Sequence, residues 1–382
     1  MERLIKRDFV STRKRKTTIT TRTTRREKKK KKLTPNSSSS LPDDLVLMIV
    51  ARVPRSYYRT LSLVSKSFRS MVASPELYKF RSLLGLTESC LYVCLRIGFS
   101  SYKWYTLSSS KSIGGYVLAG VPIPDGGGGV GPGYSDIVAV GSDIYKIGVA
   151  DKPSLWRWTS GVSILDCKSH TWRKAPSMPV ELDELSARFL DGKIYVKGFF
   201  YQDGSWKSSL QVFNTNTQTW GLPCYGLDCD GITGEAFAFN SKQCRWDLVE
   251  QYPKRGHNIF SNYYREIDNL RCSVSKDGAL TWFDTDETRW RDLKGLVGLP
   301  KLPSPLAGHG SYVKLKGYSG GKMMVFWNSN LSTHLFQSDT IYCAEIALER
   351  RNGDCWGKLE WYDSVLSVPM GTKFIKVLAV TL

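Results

Sequence analysis

Apolar residues recur at helical spacing between Leu41 and Gly85, and from Cys90 onward they alternate with polar ones at a period of two. In the first stretch Val46, Ile49, Val50 and Val53 stand at i, i+3, i+4 and i+7, a helix face that has to be covered. Ser40 is placed to cap this helix, and Pro42 suits a first turn in which its missing N–H is harmless. Asp43 and Asp44 put negative charge at the positive end of the dipole, and Val53-Pro54 ends the helix because proline pushes the preceding residue out of the α region. Leu61, Val64, Phe68 and Met71 predict a second helix, and Ser74-Pro75-Glu76 reads as cap, first turn and dipole partner of a third. Three short helices over residues 41–85 make a core too small to stand alone, so the unit needs a neighbour or a partner surface.

Past this unit the chain reads as short strands separated by Gly, Pro, Asp and Asn, beginning with Cys90 to Ile97, Trp104 to Leu107 and Tyr116 to Val121. Cys90 and Cys94 share a strand face, but no second pair or nearby histidine completes a zinc set, and core cysteines are the expectation. Gly126 to Gly133 lacks the Lys-Ser or Lys-Thr and the helix of a phosphate loop, and reads as a connector.

An internal repeat organises this region. Asp166 is followed six residues later by Trp172, Asn214 by Trp220, Asn240 by Trp246 and Asp284 by Trp290, each pair preceded by apolar residues such as Leu165, Phe213, Phe239 and Phe283. Gly98 to Trp104 has the same spacing in weaker form. The pattern predicts a strand, a polar turn whose first side chain bonds turn backbone, and a strand opening on a Trp that fills space between stacked sheets. Asp143 to Gly148 and Gly192 to Gly198 are related strands fifty residues apart, the size of a four-stranded propeller blade.

Charge changes the picture only at one end. Of the formal +19, residues 1–32 supply fifteen Lys or Arg against Glu2, Asp8 and Glu27, so +12 sits in the tail and +7 in everything else. Residues 1–40 are expected to be disordered, being basic and polar with little to bury. Arg13 to Lys16 and Arg25 to Lys32 have the form of basic import patches, equally the form of a solvated polybasic tail, and an organelle transit peptide is a third reading that the run of five lysines weakens. No aromatic residues interleave with these charges to stack on bases, so specific nucleic-acid binding is not expected. No run of eighteen apolar residues suggests a membrane span, and no secretory leader is apparent. Nine cysteines at irregular spacing then fit free thiols, and the expected location is nuclear and/or cytoplasmic.

Leu41-Pro42-Asp43-Asp44-Leu45, Leu61 to Lys66 and Ser74 to Tyr78 resemble, in order and spacing, the F-box. The resemblance implies a helical hook docking on a Skp-type adaptor, and through it on a cullin scaffold that carries ubiquitin-transfer machinery. Matched position by position, the adaptor-binding candidates are Leu41, Pro42, Leu45, Ile49, Leu61, Val64 and Phe68, with Phe68 where many F-boxes carry Trp. The later units resemble kelch repeats, and with Ile341 to Arg351 and Trp356-Gly357-Lys358 the chain is similar to the plant F-box/kelch-repeat family from about Leu41 to Leu382. Gly148 and Gly198 stand alone where kelch repeats usually pair glycines, and Asn214 to Asn240 spans only twenty-six residues, too few for a blade.

The expected architecture is therefore a basic tail (1–40), a small all-α F-box of three helices (41–85), first strands with a Gly-rich connector (86–133) and an all-β propeller (134–382) of about six blades, one of them degenerate. Expected loop segments for binding are Val149 to Ser160, Phe200 to Lys207, Tyr252 to Arg265 and Ser329 to Ser338, with Lys254 to His257 and Tyr263 to Arg265 suited to an acidic partner or simply solvated. Some kelch propellers are copper oxidases, but that chemistry needs converging imidazoles, and His170, His257, His309 and His334 are scattered. No catalytic set or cofactor is expected. The sequence points to a non-catalytic substrate receptor of a cullin-based ligase, holding an unidentified target protein on the propeller. The alternative is a kelch scaffold that acts outside ubiquitination.

Overall fold

The structure, a computed structural model, describes residues 41–98, 101–110, 114–123, 135–149, 160–225, 235–240, 245–251, 265–267, 270–284, 286–304, 313–318, 321–328 and 338–382. The tail, its basic clusters and Ser40, the Gly-rich connector, and most of the loop segments expected to bind lie outside the described residues.

The helical segment forms four α-helices, not three: α1 (Asp43–Ala51), α2 (Tyr58–Val64), α3 (Lys66–Val72) and α4 (Pro75–Leu83), with a 3-10 turn at Arg55–Tyr57. Pro42 precedes the first helix instead of sitting in its first turn. The single helix expected from Leu61 to Met71 breaks at Ser65, which is extended (φ −158°, ψ 163°) and whose Oγ accepts the Phe68 N–H at 3.1 Å. A serine side chain offers the backbone this alternative to the helical ladder. Ser74 caps α4 as expected, accepting the Leu77 N–H at 3.3 Å with Pro75 in the first turn.

The rest is β. In chain order, β1 (Ser89–Ile97), β2 (Ser101–Ser110) and β3 (Gly115–Val121) form one ladder, and β4 (Asp136–Val140), β5 (Asp143–Val149), β6 (Gly161–Asp166) and β7 (Thr171–Ala175) a second. The third sheet holds β8 (Asp183–Leu190), β9 (Lys193–Gln202), β10 (Ser205–Asn214) and β11 (Thr219–Trp220), with β12 (Cys224–Tyr225) also on β10. β13 (Glu235–Asn240) and β14 (Arg245–Gln251) pair only with each other among the described residues. β15 (Arg265–Ile267), β16 (Leu270–Val274), β17 (Leu280–Asp284) and β18 (Arg289–Asp292) follow, then β19 (Val313–Tyr318), β20 (Lys322–Asn328), β21 (Ser338–Arg351) and β22 (Asp354–Pro369). The last strand, β23 (Lys373–Thr381), returns to pair with β1 and completes the first sheet.

Among the described residues the propeller thus has five blades, against the expected count of about six. Asn240 follows Asn214 by only twenty-six positions, about half of a blade repeat, and between β12 and β15 the described residues form only the two-stranded β13–β14 ladder. Phe200 to Lys207, read from sequence as a loop, is mostly strand: Tyr201 pairs with Trp206 and Gln202 with Ser205 around a two-residue turn at Asp203-Gly204. No helix among the described residues is long and apolar enough to cross a membrane.

Within the ring, β23, β4 and β8 lie side by side as the inner strands of successive blades, as do β15, β19 and β23. Asp136 laces three of them, one carboxylate oxygen accepting from the Lys376 ammonium and the other from the Ala187 N–H at 2.8 Å. Antiparallel order then fixes the two faces. Turns joining the first to the second strand of a blade, and the third to the fourth, share one face. Turns from second to third strand share the other. The chain enters β1 from α4 on the first of these faces, beside the end of β23, where Glu88 and Leu382 exchange backbone hydrogen bonds of 2.7 and 2.9 Å.

Candidate functional site

The helical unit closes on a small core of Val50, Ala51, Tyr58 and Leu77, against which Val46, Leu47, Val53, Leu61, Phe68 and Met71 pack. This divides the expected adaptor-binding set. Leu61 and Phe68 turn inward, whereas Leu41, Pro42, Leu45, Ile49 and Val64 are exposed. Ile49 is 54 % exposed although its spacing placed it on the covered face, because α1 buries Val50 and Ala51 and leaves Leu45 and Ile49, one turn apart, together on the outer side. Val64 (66 %) is freed by the break at Ser65, and its neighbour Leu63 (73 %), which periodicity did not single out, is more exposed still. Leu63 could have been found only from that break, since a continuous helix hides which residues end it.

Below this surface the helices meet two blades. The Lys168 ammonium stands 5.5 Å from the centre of the Tyr78 ring, joining α4 to the turn between β6 and β7. Arg55 donates to Cys90 Sγ at 2.8 Å and through its backbone N–H to Glu88 at 3.2 Å. Burial nevertheless pushes the Cys90 thiol above its ordinary range, with the Arg55 charge acting only in partial opposition. Burial, reinforced by the Arg55 charge and partly opposed by Asp166, holds His170 below the usual imidazole value.

Three of the four repeated turns are described and share one construction. Asp166 accepts the Lys168 N–H at 2.8 Å, Asn214 those of Asn216 and Thr217 at 2.9 and 3.2 Å, and Asp284 those of Asp286 and Glu287 at 3.0 and 3.3 Å. Four residues on, His170, Gln218 and Thr288 adopt the left-handed region (φ 57°, 58° and 49°), which closes each turn. Leu165 then faces Trp172, Phe213 faces Trp220 and Phe283 faces Trp290, and in the β13–β14 ladder Phe239 is in register with Trp246. Trp172, Trp220 and Trp290 are half-buried on the outermost strand of their blades, and Trp172 and Trp220 pack against the cores that lie between their own blade and the preceding one. Trp220 keeps its indole N–H satisfied by the Pro176 carbonyl at 2.8 Å. Gly98 to Trp104 is a different object, the turn between second and third strands, with Trp104 opposite Cys94. The three described repeated turns belong to the face on which the helices sit.

Among the described residues no group of three or more His, Cys, Asp or Glu converges as a metal site. The turn between β9 and β10, on the face away from the helices, carries exposed Tyr201 and Trp206 with ring centres 5.5 Å apart.

A kelch-repeat domain model (FKB95, Kelch-repeats domain) matches residues 104–366 and an F-box domain model matches residues 38–80. Three F-box/kelch-repeat proteins of Arabidopsis thaliana are similar along nearly the whole chain. One is 46 % identical over 360 residues, covering 90 % of this chain and 93 % of its own. A second is 44 % identical over 382 residues, covering 90 % and 99 %, and a third 40 % identical over 381 residues, covering 89 % and 93 %.

Proposed function

This chain belongs to the F-box/kelch-repeat family, and on that premise we propose that it is a substrate-recognition subunit of a Skp-cullin-F-box ubiquitin ligase. The observation that carries this reading is the outer surface of the F-box, where Leu45, Ile49, Leu63 and Val64 are exposed on a unit with only a minimal core of its own. A Skp-type adaptor covers these side chains, and a cullin is recruited through it. The target protein is held by the propeller face away from the F-box, with Tyr201 and Trp206 as aromatic anchors. No residue of this chain performs covalent chemistry: the mechanism is proximity, raising the effective concentration of target lysines around a charged transfer enzyme.

The test is co-purification of the full chain with a plant Skp-type adaptor and cullin, beside Ile49→Asp and Val64→Asp. Association lost in both variants supports the reading, and association unchanged in both contradicts the docking surface. A scaffold acting outside ubiquitination uses the same exposed surface, and adaptor binding without cullin recruitment would be its sign.

A further inference from the structure

Arg81, in the last turn of α4, is the largest fully buried side chain of the protein's described residues, with 2 % exposed. A guanidinium out of water needs acceptors, and the two terminal nitrogens of Arg81 find them at the end of α1, on α2 and on the segment after α4, while its Nε has no hydrogen-bond partner. One terminal nitrogen donates to the carbonyls of Ala51 (3.0 Å) and Val53 (2.8 Å), which end α1, and to the Tyr58 hydroxyl (3.0 Å) on α2. The other donates to the Leu86 carbonyl and to Glu88 Oε1, both at 2.6 Å, on the chain leading into the propeller.

Glu88 belongs to the propeller side of this contact. Its backbone pairs with Leu382 beside the ring-closing β23, and the same Oε1 accepts the Arg55 N–H. The residues between the two, Ser82 to Thr87, are all exposed, and Gly85 adopts φ +66°. No side chain of the turn enters the core, and its backbone is held by the Gly85 N–H on the Ser82 carbonyl (3.1 Å) and the Leu86 N–H on that of Arg81 (2.9 Å). The Arg81–Glu88 ion pair ties the F-box to the propeller across the turn, beside the burial of Tyr78 among Tyr92, Leu165 and Val380 and the contacts of Arg55 with Cys90 and of Lys168 with Tyr78.

We propose that Arg81 and Glu88 are positioning residues: their joint fixes the direction in which the propeller presents a bound protein relative to the adaptor. Proximity alone tolerates a swinging receptor, but efficient transfer to particular lysines requires the two sites to keep a narrow range of separations. This rests on the ligase reading, and the experiment separates the two. Glu88→Ala cuts the joint on the propeller side while leaving the bonds of Arg81 to Ala51, Val53 and Tyr58 in place.

In the full chain, dyes attached through non-natural side chains at exposed Ser67 and Ser205 report the distance distribution between F-box and distal propeller face. Adaptor affinity is measured in parallel. Ubiquitin transfer to propeller lysines is counted by mass spectrometry in the reconstituted complex. Glu88→Ala is expected to widen the distribution at least twofold and slow transfer about fivefold, with adaptor affinity within twofold of the parent. Glu88→Asp should recover part of both effects. An unchanged distribution overturns the joint; a widened distribution with unchanged transfer overturns its positioning role. Failure of the parent chain to bind any adaptor would overturn the ligase reading instead, and the distance measurement would still judge the joint.

Discussion

The Tyr92 hydroxyl lies 3.0 Å from Nε2 of His170, joining the second strand of one blade to the left-handed residue of its neighbour's turn. The same hydroxyl donates to the Cys167 carbonyl at 3.2 Å, which leaves the ring to donate from Nε2. Tyr92 itself is held far above the ordinary phenol range, chiefly by burial, so the hydroxyl keeps its proton.

The surroundings of that ring give the fold an acid-side weakness, because burial and the Arg55 charge disfavour the imidazolium. The His170 pKa in the folded protein is depressed, so the unfolded chain binds the proton more readily. The stability that depends on neutral His170 is complete above the unfolded value of about 6.5 and is lost as pH falls through the lower folded value. Urea midpoints of the parent should fall as pH drops below about 6.5, and His170→Gln should flatten that slope. An identical slope in the variant would assign the loss to other groups.

Ile194 is fully buried on β9, in the core shared by the second and third blades with Ile164, Val196 and Phe213. Ile194→Ala should cost about 2–5 kcal/mol by removing buried methyl groups and leaving a cavity. Urea unfolding of the two proteins measures the difference, and a loss below about 1 kcal/mol would mean that the blades repack freely.

Two glycines with the same backbone angle should respond differently to alanine. Gly353 (φ +79°) faces open space, so Gly353→Ala carries only the left-handed penalty of about 1–2 kcal/mol. A Cβ on Gly278 (φ +81°) would stand 2.0 Å from the Leu302 carbonyl oxygen, and Gly278→Ala must also displace that backbone. Gly278→Ala is expected to be the more destabilising by about 1–3 kcal/mol, and equal thermal melting of the two variants would contradict the close approach.

Five buried thiols should be silent in the folded protein. Burial pushes the thiols of Cys94 and Cys272 up to about 12 and that of Cys355 up to about 11, and raises Cys167 and Cys343 as well. The thiolate is the reactive form, so iodoacetamide at neutral pH should label these five only after unfolding. Peptide mapping reads this directly; labelling in the native state at the unfolded rate would show that the blades open.

Much of the architecture was written in local pattern. Ser74, Pro75 and Glu76 announced α4 because a cap bonds its own next turn, and the Asp166, Asn214 and Asp284 turns were visible because each side chain bonds backbone two or three residues away. The spacing of Asp143 to Gly148 and Gly192 to Gly198 likewise identified the second strands of two blades. Such signals are complete within a few residues.

What the sequence left undecided depended on distant partners. Periodicity could not assign Ile49 and Val64 to the outside and Leu61 and Phe68 to the inside, because a helix face becomes a core only when another helix covers it. The half-burial of Trp172, Trp220 and Trp290 followed from their place on outermost strands, and the five-blade count from how much chain remained between Asn214 and Asn240. The ion pair of Arg81 and Glu88 lay within seven residues of sequence, yet nothing in that spacing marks Arg81 as buried. Arg81 is buried because α1, α2 and the end of β23 converge there, and only the assembled tertiary structure brings those carbonyls and that strand end to one place.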